Sequence, residues 1–316
     1  CIRDRPYSME LGGKDPMIVL EDADIKAAAK WSMWGGATFN SGQSCVAVER
    51  IYVMDDVYDQ FLAAIIEEAK EVELGYSPAT ENCFDMAPLT FDRQLEILDD
   101  HLDDAIAKGA TVAYSGRRDG LFVEPIILVD VDHSMKIMRE ETFGPVLPIM
   151  RVNDEQHAIQ LANHSKFGLN AYVWSQNLAR AERIAEQLEV GSVLINDIMY
   201  QWFNPLQPFG GMKLSGNART HGEAEVMQFT QSRAYTVGRP PFSFDIWTVL
   251  RNPHRYRELR FVSHLLAGVG PKQKLKPIRE LLEEVEVPAQ VGRIAATTGA
   301  VAAFAVAAAS LFRSRK

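Results

Sequence analysis

The chain has 316 residues, of which 47% are hydrophobic and 24% are charged, the balance of an ordinary globular protein rather than a disordered one. Its net charge of −9 argues against general binding to nucleic acid. Three scattered cysteines, Cys1, Cys45 and Cys83, match neither a disulfide framework nor a zinc pattern, so no metal site is expected and a reducing compartment fits best.

Strand-like and helix-like segments alternate between residues 15 and 196. Short apolar runs predict strands at residues 15–20, 50–53, 111–114, 122–129, 146–151, 171–174 and 192–196. Helical spacing of apolar residues predicts helices at residues 23–35, 57–72, 90–108, 157–163 and 178–189. This alternation is typical of α/β layers around a largely parallel sheet.

The composition changes after residue 237. Gly-Arg-Pro-Pro at residues 238–241 is a linker signal. Residues 239–276 then carry eight basic side chains against two acidic ones, interleaved with aromatic residues. Such a mixture is typical of segments that lie at a membrane interface. We predict a basic and aromatic linker and helix at residues 238–290; a basic surface helix that contacts the acidic body is the alternative.

An uncharged apolar run occupies residues 294–312 near the end of the sequence. Its 19 residues are long enough to span a bilayer as a helix, and Arg293 and Arg313 flank it. We therefore predict a membrane anchor at residues 291–316, with a membrane-associated protein whose catalytic part is cytoplasmic. The run is rich in alanine, which contributes little to insertion. An Ala-rich packing helix in a soluble cytoplasmic protein is the alternative.

Four motifs occur in a fixed order along the chain. They are ELGGK at residues 10–14, FNSGQSC at 39–45, EETFGP at 140–145 and PFGGMKLSG at 208–216. Together, in this order and with these gaps, they resemble the aldehyde dehydrogenase superfamily over residues 1–237. The segments LGGKDPMIVLEDAD and EETFGPVLPIM are most similar to the succinate-semialdehyde dehydrogenase-like branch. The resemblance implies the α/β catalytic domain of that family.

Cys45 and Glu10 are the candidate catalytic residues. An aldehyde is a poor hydride donor until a nucleophile converts it to a tetrahedral adduct, which a thiolate can form. The small residues 41–44 let backbone N–H groups approach the developing oxyanion. The resemblance implies that Glu10 activates the water that hydrolyses a thioester, a role that suits a partly buried carboxylate of raised pKa. Taken singly, the two residues read as a buried structural cysteine and a solvated loop carboxylate.

The resemblance also implies a cofactor, NAD or NADP, and a small-molecule aldehyde substrate. Glu141 matches the position that holds the nicotinamide ribose, Phe143 the one that flanks the ring, and Leu11 one whose backbone contacts the nicotinamide amide. The implied substrate-binding residues are Phe39, Ser44 and Phe209. Without the resemblance, a surface turn at residues 143–145 and plain core packing of the aromatic residues would explain them equally well.

The domain division follows from the same comparison. Residues 1–13 are expected to end a cofactor-binding domain that is mostly missing, residues 14–207 to form the catalytic domain, and residues 208–237 to return to the cofactor domain and supply an oligomerisation strand. An asparagine of the oxyanion hole and a glycine-rich turn with a lysine precede Glu10 in the family and are absent here. Thr220 replaces a glutamate that many relatives carry.

Three functions remain open from the sequence. The first is NAD(P)-dependent hydrolytic oxidation of an aldehyde by a homo-oligomeric enzyme, of which this chain is a fragment. The second is a non-catalytic, membrane-tethered remnant that acts in oligomerisation or scaffolding. Retention of both Cys45 and Glu10 disfavours the second. The third, transfer of the acyl group to coenzyme A, is disfavoured by Glu10.

Overall fold

A computed structural model of the chain describes residues 7–77, 83–235 and 237. Contacts divide the chain into two units, Cys1–Ser232 and Arg233–Lys316. All but a few of the described residues belong to the first unit. The fold below is the fold of that unit.

The predicted C-terminal features lie outside the part of the chain that the structure describes. This holds for the linker and helix at residues 238–290 and for the membrane anchor at residues 291–316. Within residues 7–77, 83–235 and 237, no helix combines the length and the apolar character needed to cross a membrane.

Eleven strands occur in the described residues, and seven of them form one sheet. The strands are β1 Asp15–Val19, β2 Val48–Met54, β3 Thr111–Ser115, β4 Arg118–Asp119, β5 Phe122–Val123, β6 Ile126–Val129, β7 Val146–Val152, β8 Phe167–Gly168, β9 Asn170–Trp174, β10 Ser192–Ile195 and β11 Met212–Lys213. The large sheet has the order β10-β9-β1-β2-β7-β6-β3. Every pairing in it is parallel except β3 with β6, which confirms the predicted α/β fold.

Seven α-helices connect these strands in the described residues: α1 Ile25–Met33, α2 Asp55–Lys70, α3 Asp92–Ala107, α4 Glu155–Asn163, α5 Leu178–Ala185, α6 Tyr200–Phe203 and α7 Gly222–Gln228. Side chains cap three of the predicted helices. Asp24, Asp154 and Asn177 accept backbone N–H groups at the first turns of α1, α4 and α5. Each such cap contributes about 1 kcal/mol, which explains why the helices begin at these positions.

One predicted strand is divided in the structure. Residues 122–129 form β5 and β6 with a break at Glu124 and Pro125. Proline has no backbone N–H to donate to a neighbouring strand, so it ends the ladder of β5. β5 then pairs with β4 in a small hairpin, while β6 enters the large sheet beside β7.

The core lies on both faces of the large sheet. Every residue of β1, β2, β6 and β9 is buried, as expected for parallel strands covered by helices on two sides. Burying each of their large apolar side chains stabilises the fold by about 1.5–3 kcal/mol. α1 packs on α2, α2 contacts β2 and β7, and α4 contacts β1 and β7. The central strands are therefore rigid supports for the segments at their ends.

Three of the four motifs stand at one edge of this sheet. ELGGK leads into β1, FNSGQSC precedes β2, and EETFGP leads into β7. Because β1, β2 and β7 are neighbouring parallel strands, their amino ends meet at the same edge. The fold therefore places the three motifs side by side.

Candidate active site

Backbone contacts join the first three motifs. A methyl group at Gly13 would lie 2.3 Å from the Cys45 carbonyl oxygen, so only glycine allows the first and second motifs to approach this closely. A methyl group at Gly42 would lie 2.4 Å from the Gly144 carbonyl oxygen, which joins the second motif to the third. The glycines of the motifs are therefore close-approach positions.

The fourth motif packs on the first. Glu10 and Gly216 form an isolated β-bridge, and the Leu11 N–H donates to the Ser215 carbonyl at 2.9 Å. The Ala218 N–H donates to the carbonyl of residue 9 at 3.0 Å. All four motifs thus belong to one site, although they span more than 200 residues of sequence.

The loop that carries Cys45 has an unusual backbone. Asn40, Ser41 and Gly42 all adopt left-handed conformations, with φ angles of 51°, 57° and 70°. For residues with a Cβ this costs roughly 1–2 kcal/mol each. Gln43 offsets the cost: its side chain donates to the Asn40 carbonyl at 3.1 Å and accepts from the Thr90 N–H at 3.0 Å. The loop is held in one conformation and presents Cys45 at the amino end of β2.

The environment of Cys45 opposes ionisation. Burial raises the pKa of its thiol to about 11, and the negative charges of Asp15, Glu141 and Glu10 act in the same direction. The backbone N–H of Cys45 lies near its own sulfur and lowers the pKa by a smaller amount. The side chain is half-buried and has no disulfide partner. At neutral pH the unliganded protein therefore holds Cys45 as a thiol.

Glu10 and Leu11 are both exposed to solvent. The sequence predicts partial burial of Glu10, but the side chain is exposed to solvent. Leu11 is 53% exposed, and its backbone is fixed by the bond to Ser215. Glu10 is nevertheless within electrostatic range of Cys45, since its charge contributes to the raised pKa of the thiol. The structure thus brings the two predicted catalytic residues to the same edge.

Glu141 is anchored against the first motif. One of its carboxylate oxygens accepts the Gly13 N–H at 2.9 Å. Gly12 has a φ of 61°, and a methyl group there would lie 2.4 Å from the other carboxylate oxygen. Burial raises the pKa of Glu141 to about 7, with a further contribution from the Glu49 carboxylate. One oxygen of Glu141 is therefore bound to the backbone, and the other fills the space that a side chain at residue 12 would need.

The aromatic residues form a row beside the Cys45 loop. The ring centroids of Trp34 and Phe39 are 5.1 Å apart, and those of Phe39 and Phe203 are 6.3 Å apart. Phe39 is half-buried, whereas Phe203 is 57% exposed. The row therefore offers an apolar surface whose middle member, Phe39, lies six residues before Cys45.

The two remaining residues proposed for substrate binding differ in accessibility. Ser44 is half-buried and adjoins Cys45. Phe209 is fully buried, and Trp202 covers it at a ring distance of 5.1 Å. In this chain Trp202, which is 41% exposed, presents the apolar surface in front of Phe209.

A second layer of charged residues, which the motifs do not reveal, lies behind the site. Lys14, Asp15 and Glu49 are all buried. Asp15 accepts two hydrogen bonds from Asn170, from the backbone N–H at 3.1 Å and from the side-chain amide at 3.0 Å. The available signal was the occurrence of Asp15 and Glu49 inside largely apolar strand segments, where a buried charge requires specific partners.

The comparisons with known proteins agree with this geometry. The pattern of the aldehyde dehydrogenase family matches residues 3–235. A 4,4'-diapolycopene aldehyde oxidase of Methylomonas sp is 46% identical over 71% of this chain and 42% of its own length. The succinate-semialdehyde dehydrogenase [NADP(+)] of Escherichia coli is 36% identical over 75% of this chain and 49% of its own length.

Solved structures show the same likeness. Betaine aldehyde dehydrogenase of Staphylococcus aureus, in complex with NAD+, superimposes with a TM-score of 0.65 at 37% identity, over 70% of this chain and 44% of that one. The chain spans a little under half the length of these relatives.

Proposed function

The chain belongs to the aldehyde dehydrogenase family, and from that membership we propose that the complete protein oxidises an aldehyde to a carboxylic acid with NAD or NADP. NAD(P)-dependent aldehyde oxidation is the general reaction of this family. The observation that carries the proposal is the convergence of Cys45, Glu10 and Glu141, from three separate motifs, at one edge of the sheet.

Cys45 is the nucleophile of this proposal. Its thiol loses a proton, and the sulfur adds to the aldehyde carbon to form a C–S bond and a tetrahedral alkoxide. The Cys45 backbone N–H, which lies near the sulfur, is suited to donate to the alkoxide oxygen. The thiol proton passes to solvent, which reaches the half-buried side chain of Cys45.

Glu10 completes the cycle. The oxidised nicotinamide, when bound, supplies the acceptor for the hydride that leaves the adduct, and Cys45 is left as a thioester. Glu10 then takes a proton from a water molecule that attacks the thioester carbonyl. Collapse releases the carboxylic acid and returns Cys45 as a thiol. Exposure of Glu10 gives water direct access, which supports hydrolysis over transfer to coenzyme A.

The described residues fit the nicotinamide end of the cofactor. The second carboxylate oxygen of Glu141 packs against Gly12, and we assign to it the acceptance of ribose hydroxyls. Leu11 is exposed on the first motif, and Phe143 is half-buried two residues after Glu141. Binding and orientation of the ring are the roles we assign to these three residues.

An aldehyde with an apolar body is the substrate class that this surface suits. The row of Trp34, Phe39 and Phe203 lies beside the nucleophile loop and is partly exposed. The relative that is 46% identical is named for the oxidation of 4,4'-diapolycopene aldehyde. Succinate semialdehyde, a small anion named for a 36% identical relative, is the second candidate.

We retain the domain division as part of the proposal. Residues 14–207 form the catalytic domain, and residues 208–237 return to the cofactor domain and contribute to a homo-oligomer. Packing of the fourth motif on residues 9–11 supports a shared boundary there. Membrane attachment through residues 291–316 also stays a proposal. The non-catalytic remnant is the weaker alternative, because a remnant has no need of a strained loop that presents Cys45.

The experiment compares Cys45→Ala and Glu10→Gln in the complete protein by stopped-flow measurement of NAD(P)H. We expect Cys45→Ala to abolish reduction of the cofactor. Glu10→Gln should still give a burst of about one NAD(P)H per site, followed by turnover that is slower by roughly 10²–10⁴-fold. Decanal should have a higher kcat/KM than succinate semialdehyde.

Each arm can fail separately. Turnover by Cys45→Ala would remove the nucleophile assignment. Absence of a burst in Glu10→Gln would place Glu10 in the first step rather than in hydrolysis. Preference for succinate semialdehyde would overturn the apolar substrate class and leave the reaction intact.

A further inference from the structure

Glu49 is a buried carboxylate at the start of β2 and lies only four residues after Cys45. It is 4% exposed. It accepts the Phe143 N–H at 2.9 Å, the Thr142 N–H at 2.9 Å and the ammonium group of Lys14. A buried carboxylate without such partners would be strongly unfavourable, so these contacts compensate for its burial.

The two backbone donors are successive N–H groups of one turn, and both bind the Glu49 carboxylate. Phe143 has a φ of 54°, a left-handed conformation that is unfavourable for a bulky residue. Successive N–H groups in a turn of this kind converge on one point and form a concave anion site. Here the Glu49 carboxylate occupies that point. Its charge therefore holds the strained turn in place.

The rest of Thr142 is equally constrained. The Lys14 ammonium donates to its hydroxyl at 3.1 Å, and a ring nitrogen of His101 lies 3.2 Å from the same oxygen. Gln94 donates to the Thr142 carbonyl at 2.6 Å. Thr142 is fully buried, so these bonds are shielded from water. Because the turn is fixed, the side chains of its flanking residues, Glu141 and Phe143, leave the backbone in fixed directions.

The Glu49 carboxylate therefore lies close, in sequence or through its contacts, to three parts of the proposed site. Lys14 follows the segment of Glu10 in sequence, Glu49 follows Cys45, and the bound turn lies between Glu141 and Phe143. We propose that Glu49 is a positioning residue that sets the Glu141–Phe143 turn for the nicotinamide end of the cofactor. The inference rests on the proposed function for the identity of the occupant. The competing account is a buried ion pair that only stabilises the fold.

Two variants of the complete protein separate these accounts. Glu49→Leu removes both the ion pair and the acceptor of the turn. Lys14→Met breaks the same ion pair and the bond to the Thr142 hydroxyl but leaves the carboxylate on the Thr142 and Phe143 N–H groups. The readouts are amide hydrogen exchange of residues 141–145 in the unliganded protein and the Kd of NAD(P) measured by fluorescence. Thermal unfolding of both variants reports their stability.

Glu49→Leu should speed exchange of residues 141–145 and raise the cofactor Kd, each on the order of tenfold, because two hydrogen bonds to a charged group are lost. Lys14→Met should change both by less than about threefold at a similar loss of thermal stability. If Glu49→Leu does not fold, Glu49→Gln keeps the shape and one acceptor oxygen, and should give a smaller change of the same sign.

Equal effects of Glu49→Leu and Lys14→Met, or unchanged exchange in Glu49→Leu, would overturn the positioning role. A wild-type protein that binds neither NAD nor NADP would instead contradict the proposed function. In that case the exchange measurement still decides whether Glu49 holds the turn.

Discussion

Charged residues lie at both ends of β1, β2 and β7, but several of those at the amino ends are buried, whereas those at the carboxyl ends are partly exposed to solvent. At the amino ends, Glu10, Cys45 and Glu141 stand in front of buried charges, and the loops contain left-handed residues. At the carboxyl ends a cleft of about 610 Å³ is lined by five acidic side chains and Arg180. The ion pairs between residues that line this cleft, such as Arg180 with Glu21, are partly exposed to solvent.

This contrast separates the features that indicate a functional site in an α/β sheet from those of an ordinary charged surface cleft. Ligands of open parallel sheets usually bind beyond the carboxyl ends of the strands. In this chain that edge holds a cleft whose charges pair with one another in solvent, an arrangement of small energetic value. The amino edge instead has desolvated charges, strained backbone and shifted pKa values, which are typical of functional sites.

The largest effect that tests the contrast concerns Glu141. Because its pKa is raised to about 7, the carboxylate is mostly protonated below that pH and ionised above it. A carboxylate accepts ribose hydroxyls better than a carboxylic acid. We expect the KM for NAD(P) of the complete protein to fall as pH rises through about 7. Glu141→Gln should raise KM about tenfold at pH 8 and remove the pH dependence.

Protein stability should change in the opposite sense. A carboxyl whose pKa is higher in the folded state than in the unfolded state contributes stability at low pH, and the contribution is lost as pH rises through the folded pKa. The free energy of unfolding of Glu141→Gln, compared with that of wild type, should therefore be higher at pH 8 than at pH 5. Chemical denaturation of both proteins at the two pH values measures this difference. A KM that stays pH-dependent in this variant would assign the titration to another group.

A smaller effect is expected at Asp15, which lies behind Cys45. A methyl group at Gly13 would lie 2.8 Å from an Asp15 oxygen and 2.3 Å from the Cys45 carbonyl, so the two residues are neighbours. The charge of Asp15 helps to raise the pKa of Cys45. Asp15→Asn should shift the pH profile of Cys45 alkylation by iodoacetamide to lower pH. At pH 9 the rate should rise about threefold, which corresponds to roughly half a pKa unit.

The substitution is well tolerated by the hydrogen-bond network. The Asn170 Oδ1 atom has no hydrogen-bond partner among the described residues, and a flip of that amide lets it accept from the side-chain amide that Asp15→Asn introduces. Asp55→Asn at the carboxyl edge is the matched control and should leave alkylation unchanged. An equal change in both variants would show that overall charge, rather than proximity, controls the thiol.

Much of this site could be predicted from the sequence, because the four motifs are local in sequence. Cys45, Glu10 and Glu141 were identified from their motifs, and apolar runs predicted β1, β2 and β7. The roles of these residues stay predictions.

Contacts between segments distant in sequence could not be predicted from local sequence patterns. Nothing in the run VERIYV indicates that Glu49 binds a turn more than 90 residues away, because only the neighbouring positions of β2 and β7 bring them together. The break at Pro125, by contrast, follows from a local property, the missing N–H of proline, although the apolar run 122–129 predicts a single strand. Exposure of Glu10 depends on packing of the fourth motif, which no local pattern reports.

The smallest effect is expected at the carboxyl edge. Arg180 contacts Glu21 at 2.8 Å and also pairs with Glu155, and both partners are more than one-third exposed. Exposed pairs contribute about 0.2–1 kcal/mol each and weaken with salt, so Arg180→Met should lower the free energy of unfolding by about 1 kcal/mol at low salt. Methionine keeps the apolar stem of arginine, which limits the loss of packing.

At roughly 1 M salt the difference in unfolding free energy between Arg180→Met and wild type should nearly vanish, whereas the loss caused by Glu49→Leu should persist because its ion pair is buried. Activity of Arg180→Met should stay within about twofold of wild type; a tenfold fall in kcat/KM would mean that the carboxyl edge takes part in the reaction and that the contrast between the two edges is wrong.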